Sequence, residues 1–204
     1  MKIILVYHDP GLNEGYKIIE DLVLDVRKAA NLDVLACPIS TIEAGGLCVD
    51  EGDLVFALLP FRGGHLEQVR RYTVERGGVF AGKIPLELIA EQVLRSLQGC
   101  STVVILYWRA KRFVEEQEED LRYLGKIIEE NLAAKVFYKT SCDEECYGKC
   151  VVVTSLLPGR LTIEASRYGD VRIPYLMVTL RDVIVSWIQD YVMRFNYLKT
   201  SKVG

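Results

Sequence analysis

The chain has 204 residues, half of them hydrophobic, and a formal net charge of -3. That length permits one large domain or two small ones with a real core. The mildly acidic balance lacks the basic field of a nucleic-acid-binding protein, and no apolar run reaches the roughly 20 residues of a membrane span. The amino terminus, MKIILVYHDP, enters a strand pattern directly and has no small-residue cleavage site. The expected setting is therefore cytoplasmic, with neither membrane nor nucleic acid as partner.

Lys2 to Tyr7 reads as a first buried strand, followed by a turn at His8-Asp9-Pro10-Gly11. Asn13 is placed to cap a helix whose Ile18, Ile19, Leu22, Val23 and Val26 share one face. Leu32 to Cys37 is a second strand closed by Pro38, and a loop containing Gly45 and Gly46 follows. The apolar run from Leu54 to Leu59 is too short for a helix and too continuous for a half-exposed strand, so it predicts a strand buried on both faces. Pro60 ends it and Gly63-Gly64 permits a tight turn. His65 then opens a segment with Leu66, Val69 and Tyr72 at helical spacing. A short strand at Val79-Phe80 and a helix led by Pro85, with Leu88, Ile89, Val93 and Leu97 on one face, complete an α/β unit with a parallel sheet.

The second half repeats that order. TVVILY at Thr102 to Tyr107 answers the first strand, and an acidic helix from Glu115 to Leu132 answers the first helix. KVFYKT at Lys135 to Thr140 answers the second strand, and Cys150 to Pro158 answers VFALLP, sharing Leu-Leu-Pro. Ser166-Arg167-Tyr168 falls where Arg70-Arg71-Tyr72 lies, and Ile173-Pro174 where Ile84-Pro85 lies. Matches in one order predict two similar flavodoxin-like lobes, each a parallel sheet flanked by helices. The first lobe, 1–99, carries both histidines; the second, 100–204, is a degenerate repeat with a cysteine-rich insertion. At the position of His8 the second half offers Arg109, and it has no histidine to match His65. The apolar pattern through Val183, Ile184, Trp187, Ile188, Val192 and Phe195 predicts a long terminal helix with a frayed basic end at Lys199 to Gly204. Its aromatics suit core packing first and a homodimer contact second.

His8 and His65 both fall just past the carboxyl end of a buried strand. In a parallel sheet those ends share one edge, where ligands bind. Two neutral imidazoles there could ligate a divalent metal or accept a proton, with Asp9 or Glu67 the nearest carboxylates in sequence. Cys142, Cys146 and Cys150 recur every fourth residue. They could hold zinc or an iron–sulfur cluster, but a disulfide between two of them or a reduced loop fits better than a metal. Cys37, Cys48 and Cys100 read as packing residues. Six cysteines are many for a cytosolic chain. Together with few Asn and Gln beside abundant Glu, Arg and Lys, they lean toward a hyperthermophile cytosol, where disulfides persist.

VYHDPG, ALLPFRGGHLEQV and KIPLELIAEQVL together resemble the class II chelatases, in particular the small sirohydrochlorin cobaltochelatases and their nickel-inserting relatives. Where that family commonly has His-Gly-Ser, this chain has His8-Asp9-Pro10. The likeness covers most of residues 1–97. It implies a lyase-type enzyme of tetrapyrrole biosynthesis, cobalamin biosynthesis for cobalt, with Co2+ or Ni2+ and the tetrapyrrole as substrates. His8 and His65 would share the tasks of ligand and base, with Glu67 as a further ligand, while Arg62, Arg70, Arg71 or Arg109 would meet the macrocycle's carboxylates. The alternatives are a non-catalytic tetrapyrrole or metal carrier of the same fold and a nucleotide-sensing α/β module using Gly63-Gly64. No full phosphate-binding glycine fingerprint supports the last.

Overall fold

A computed structural model describes residues 1–200 of the chain. The expected basic end at Lys199 to Gly204 therefore lies outside the described residues from position 201 onward. Strands β1 (Ile3–Tyr7), β2 (Val34–Pro38), β3 (Leu54–Ala57) and β4 (Val79–Lys83) form a parallel sheet in the order β2-β1-β3-β4. Strands β5 (Thr102–Leu106), β6 (Lys135–Lys139), β7 (Cys150–Val153) and β8 (Asp170–Ile173) form a second in the order β6-β5-β7-β8. The helices between them are α1 (Asn13–Ala30), α2 (Ile39–Glu43), α3 (Gly64–Glu75), α4 (Leu86–Ser96), α5 (Val114–Leu132), α6 (Arg160–Tyr168) and α7 (Met177–Thr200). The chain is thus an α/β protein of two similar lobes, as the repeated pattern predicts.

The duplication extends to the hydrogen-bond register. Ile3 pairs with Val34 and Leu54, and Val103 pairs with Val136 and Cys150, so Ile3 and Val103 hold equivalent places. Each sheet has a register shift at the same point, between Val55 and Phe56 in one and between Val151 and Val152 in the other. A bulge re-aims the strand that carries it, so its repetition is a structural signature of common design. The register also corrects the sequence alignment. Leu58 N–H donates to Val6 and Thr154 N–H to Leu106, which makes Thr154, not Leu156, the counterpart of Leu58. The shared Leu-Leu-Pro therefore stands two residues out of register.

Alternate residues of each strand feed different cores, as the period of a strand requires. Ile3, Leu5 and Tyr7 join Val103 and Ile105 in one cluster between the sheets, filled by α1, α4, α5 and α7. Ile4 and Val6 face an outer layer with α2 and α3, while Val104 and Leu106 face one with α6. The two lobes therefore share their main core. Phe56 is fully buried there, edge-on to Trp187 at 5.2 Å and Tyr191 at 5.3 Å. Burying such a ring contributes roughly 2–3 kcal/mol, which gives the aromatics of α7 a packing role.

Two local expectations change. Asn13 is the first residue of α1, and the N-cap is Leu12, with no side-chain cap. Cys37, Cys48 and Cys100 do pack in the cores, but as halves of disulfides rather than as free thiols. Cys37 joins Cys48, Cys100 joins Cys150, and Cys142 joins Cys146. The Cys142–Cys146 bridge matches the favoured disulfide reading of that loop. With Cys150 bonded to Cys100, none of the three sulfurs weighed as a zinc or iron–sulfur set is left as a thiolate ligand. Among the described residues no helix is long and apolar enough to cross a membrane.

Candidate metal site at the carboxyl edge of the first sheet

In the strand order β2-β1-β3-β4 the chain leaves β1 toward one side of the sheet and β3 toward the other. Between such strands the loops diverge and open a crevice at their carboxyl ends. His8 is the first residue past β1, and His65 is the second residue of α3, which follows β3 after the turn from Leu58 to Gly63. Neighbouring strands lie about 4.8 Å apart, which brings the two loops within side-chain reach. Nε2 of His8 lies 2.8 Å from Nδ1 of His65, and the ring centroids are 4.3 Å apart at 76°.

A third group joins from β2. Its following helix, α2, ends at Glu43, whose Oε1 is 3.5 Å from Nε2 of His65. A carboxylate there favours the proton on Nε2, which leaves Nδ1 of His65 to accept from the Nε2–H of His8. A first-row divalent ion with metal–nitrogen bonds of about 2.1 Å holds two imidazole nitrogens roughly 3 to 3.4 Å apart. The pair is thus within a few tenths of an ångström of a chelating separation. An ion would take the place of the shared proton, once His8 moves its proton to its other ring nitrogen. His8 is exposed on the surface, yet lost hydration on its protein side and then the neighbouring His65 lower its pKa to about 4, with Asp9 opposing. Its ring is neutral at pH 7 and free to act as ligand or base.

The other candidate side chains are elsewhere engaged. Glu67 gives both carboxylate oxygens to Arg70, at 2.7 and 2.9 Å, rather than to the histidines. Asp9 accepts from the Ser40 hydroxyl at 2.8 Å and its backbone N–H at 3.2 Å, fastening the His8 loop to α2. Arg62 donates from its backbone N–H and Nε to buried Asp120 of α5, and from Nη2 to Glu119. It acts as a strut that ties the turn before His65 to the second lobe. Lys83 supports the same turn by donating to the Pro60 carbonyl, and burial pushes its pKa down against the pull of Asp120. Arg109 is largely exposed, 3.9 Å from Glu118. A hollow of about 520 Å³ beside this strut is lined by Arg62, Lys83, Glu87, Asp120 and Tyr123 among others, and neither histidine lines it. The histidines open to solvent instead, the His65 side chain being 47% exposed.

Glu43 escapes the sequence because nothing local marks it. Only the placement of β2 beside β1 brings its loop to the shared edge. Register also replaces Arg109 as the counterpart of His8. Tyr7 answers Tyr107, so Trp108 follows β5 where His8 follows β1. Leu161, 1% exposed, stands second in α6 as His65 does in α3. Among the described residues no group of three or more His, Cys, Asp or Glu is gathered to hold a metal ion. The edge thus offers a pair of imidazoles with an orienting carboxylate.

The fold that presents this pair is the two-lobed fold of the sirohydrochlorin chelatases. Two solved structures carry the likeness. One is the sirohydrochlorin chelatase SirB from Bacillus subtilis subspecies spizizenii in complex with cobalt, with a TM-score of 0.67 and 12% identity over 95% of this chain and 96% of that one. The other is SirB from Bacillus subtilis with Fe3+, with a TM-score of 0.65 and 13% identity over 94% and 96%. No protein-family model matches the sequence, and no curated protein does.

Proposed function

We propose that the protein inserts a divalent metal, cobalt or nickel, into a sirohydrochlorin-type tetrapyrrole, with residues 1–99 as the active lobe. The observation that carries this is the 2.8 Å approach of the two imidazoles at the sheet edge, with Glu43 behind them. The likeness to a chelatase whose structure holds cobalt supports the same reading. As the ion enters the ring the pyrrole N–H protons must leave, so the site needs a ligand that releases the metal and a base beside it. His8 and His65 fill those tasks, and Glu43, 3.5 Å from Nε2 of His65, orients that ring. Arg109 is available for the macrocycle's carboxylates, whereas Arg62 is held by Glu119 and Asp120 and Arg70 by Glu67. We place the protein in a cytoplasm in which disulfides persist, the hyperthermophile case.

The test is the absorbance change of metal-free sirohydrochlorin mixed with Co2+ or Ni2+. The protein should accelerate insertion, and His8→Ala or His65→Ala should each lower the rate roughly a hundredfold or more. Binding of the macrocycle without acceleration would instead support the carrier reading. Neither binding nor acceleration would contradict both.

A further inference from the structure

The second lobe has lost the histidines but kept the loops, and those loops face the first lobe's site. A methyl group built on Gly63 would stand 3.8 Å from Cβ of Ala110, and one on Gly64 would stand 3.4 Å from Cβ of Arg112. The loop after β5 therefore touches the turn that carries His65. In the reciprocal contact, a methyl group on Gly11, in the loop after His8, would stand 3.4 Å from Cα of Gly159, in the turn before α6. Each histidine loop of the first lobe thus meets the equivalent edge of the second.

On that edge the residue in the place of His8 is Trp108, and Arg160 precedes the counterpart of His65. The Arg160 guanidinium lies 5.9 Å from the centre of the Trp108 ring, with Nε held by Glu164 at 2.6 Å. The Gln117 side chain pins the loop, donating to the Trp108 carbonyl and accepting from the Ala110 N–H, both at 2.8 Å. Yet Trp108 remains 52% exposed. An amphipathic ring held open to water on an anchored loop is available to stack on a ligand. Lys111 and Arg112, in the same loop, are exposed.

We propose that Trp108 and Arg160 form the second lobe's half of the substrate site, the indole stacking on one flat face of the tetrapyrrole while Arg160 binds a peripheral carboxylate. This rests on the tetrapyrrole reading above and adds to it how the macrocycle is held over the histidine pair. The chemistry fits in both parts. A conjugated ring system stacks on indole through its π-face, and guanidinium offers a forked donor to carboxylate. The degenerate lobe has in this way exchanged metal handling for holding the ring.

The chain has two tryptophans, so Trp187→Phe leaves Trp108 as the reporter. In that background metal-free sirohydrochlorin should quench the indole fluorescence as it binds. With binding then followed by macrocycle absorbance, Trp108→Ala should weaken it about tenfold, the scale of one lost stacking contact, and Trp108→Phe should recover part of the loss. Arg160→Gln should weaken it and flatten its dependence on salt. Cobalt binding measured without macrocycle should be the same in all these variants. Unchanged macrocycle affinity in Trp108→Ala, with the parent protein binding normally, would overturn this inference and leave the chelatase reading standing. Failure of the parent protein to bind sirohydrochlorin would overturn the chelatase reading itself, and this inference with it.

Discussion

The chemistry at the residue scale turns on His8, whose pKa of about 4 lies well below the 6.5 of a free imidazole. The loss of hydration and the adjacent His65 both disfavour its charged form. Between pH 6.5 and 4 the unfolded chain binds a proton at this residue that the folded chain does not. Stability contributed by the neutral ring is thus complete above 6.5 and is lost as pH falls toward 4. Ring NMR shifts of His8 should titrate with a midpoint near 4, and His65→Ala should move that midpoint upward by removing the neighbouring ring. A midpoint at 6.5 in the parent protein would contradict the crowded site. Both histidines were legible in the sequence, because strand ends are readable from apolar runs and turn residues. The carboxylate was not. Glu67 lies two residues from His65 but is held by Arg70, whereas Glu43 reaches His65 only through the fold.

At the scale of elements, the short helix α2 decides how well the site is built. It supplies Glu43 to His65 and Ser40 to Asp9, and the Cys37–Cys48 bridge closes the segment that contains it. Cys37 is fully buried and Cys48 8% exposed, so the staple forms part of the outer core. A loop of this size loses about 3 kcal/mol of stabilisation when its disulfide is removed. Cys37→Ala with Cys48→Ala should lower the melting temperature by several degrees. It should also weaken cobalt binding, because α2 would no longer hold Glu43 behind His65. Unchanged cobalt affinity in a folded double variant would separate the staple from the site. None of this pairing was readable from spacing. A disulfide requires Cα atoms near 6 Å, and only the folded β2–α2 loop brings Cys48 back to Cys37, at 6.0 Å. The inter-lobe strut was equally hidden, since Arg62 and Asp120 lie 58 residues apart in sequence.

At the scale of the molecule, the chain has two similar sheets whose equivalent edges carry different side chains. The repeat was legible because strand order and strand composition survive sequence drift, and Arg70-Arg71-Tyr72 does answer Ser166-Arg167-Tyr168 in the register as well as in the text. Leu-Leu-Pro was a false guide to residue equivalence, since prolines end strands wherever the chain next turns. Only the paired bulges and hydrogen bonds put Trp108 opposite His8 and Leu161 opposite His65. Those pairs explain why a single lobe carries imidazoles while the other presents an indole and a guanidinium across the same edge. The most direct test of the account is a titration of the protein with Co2+ followed by the ring signals of its two histidines. Both rings should undergo large paramagnetic shifts together, saturating at one ion per chain, and either histidine-to-alanine change should abolish tight binding. An ion that shifts one ring alone, or that binds with full affinity in His8→Ala, would contradict a shared site.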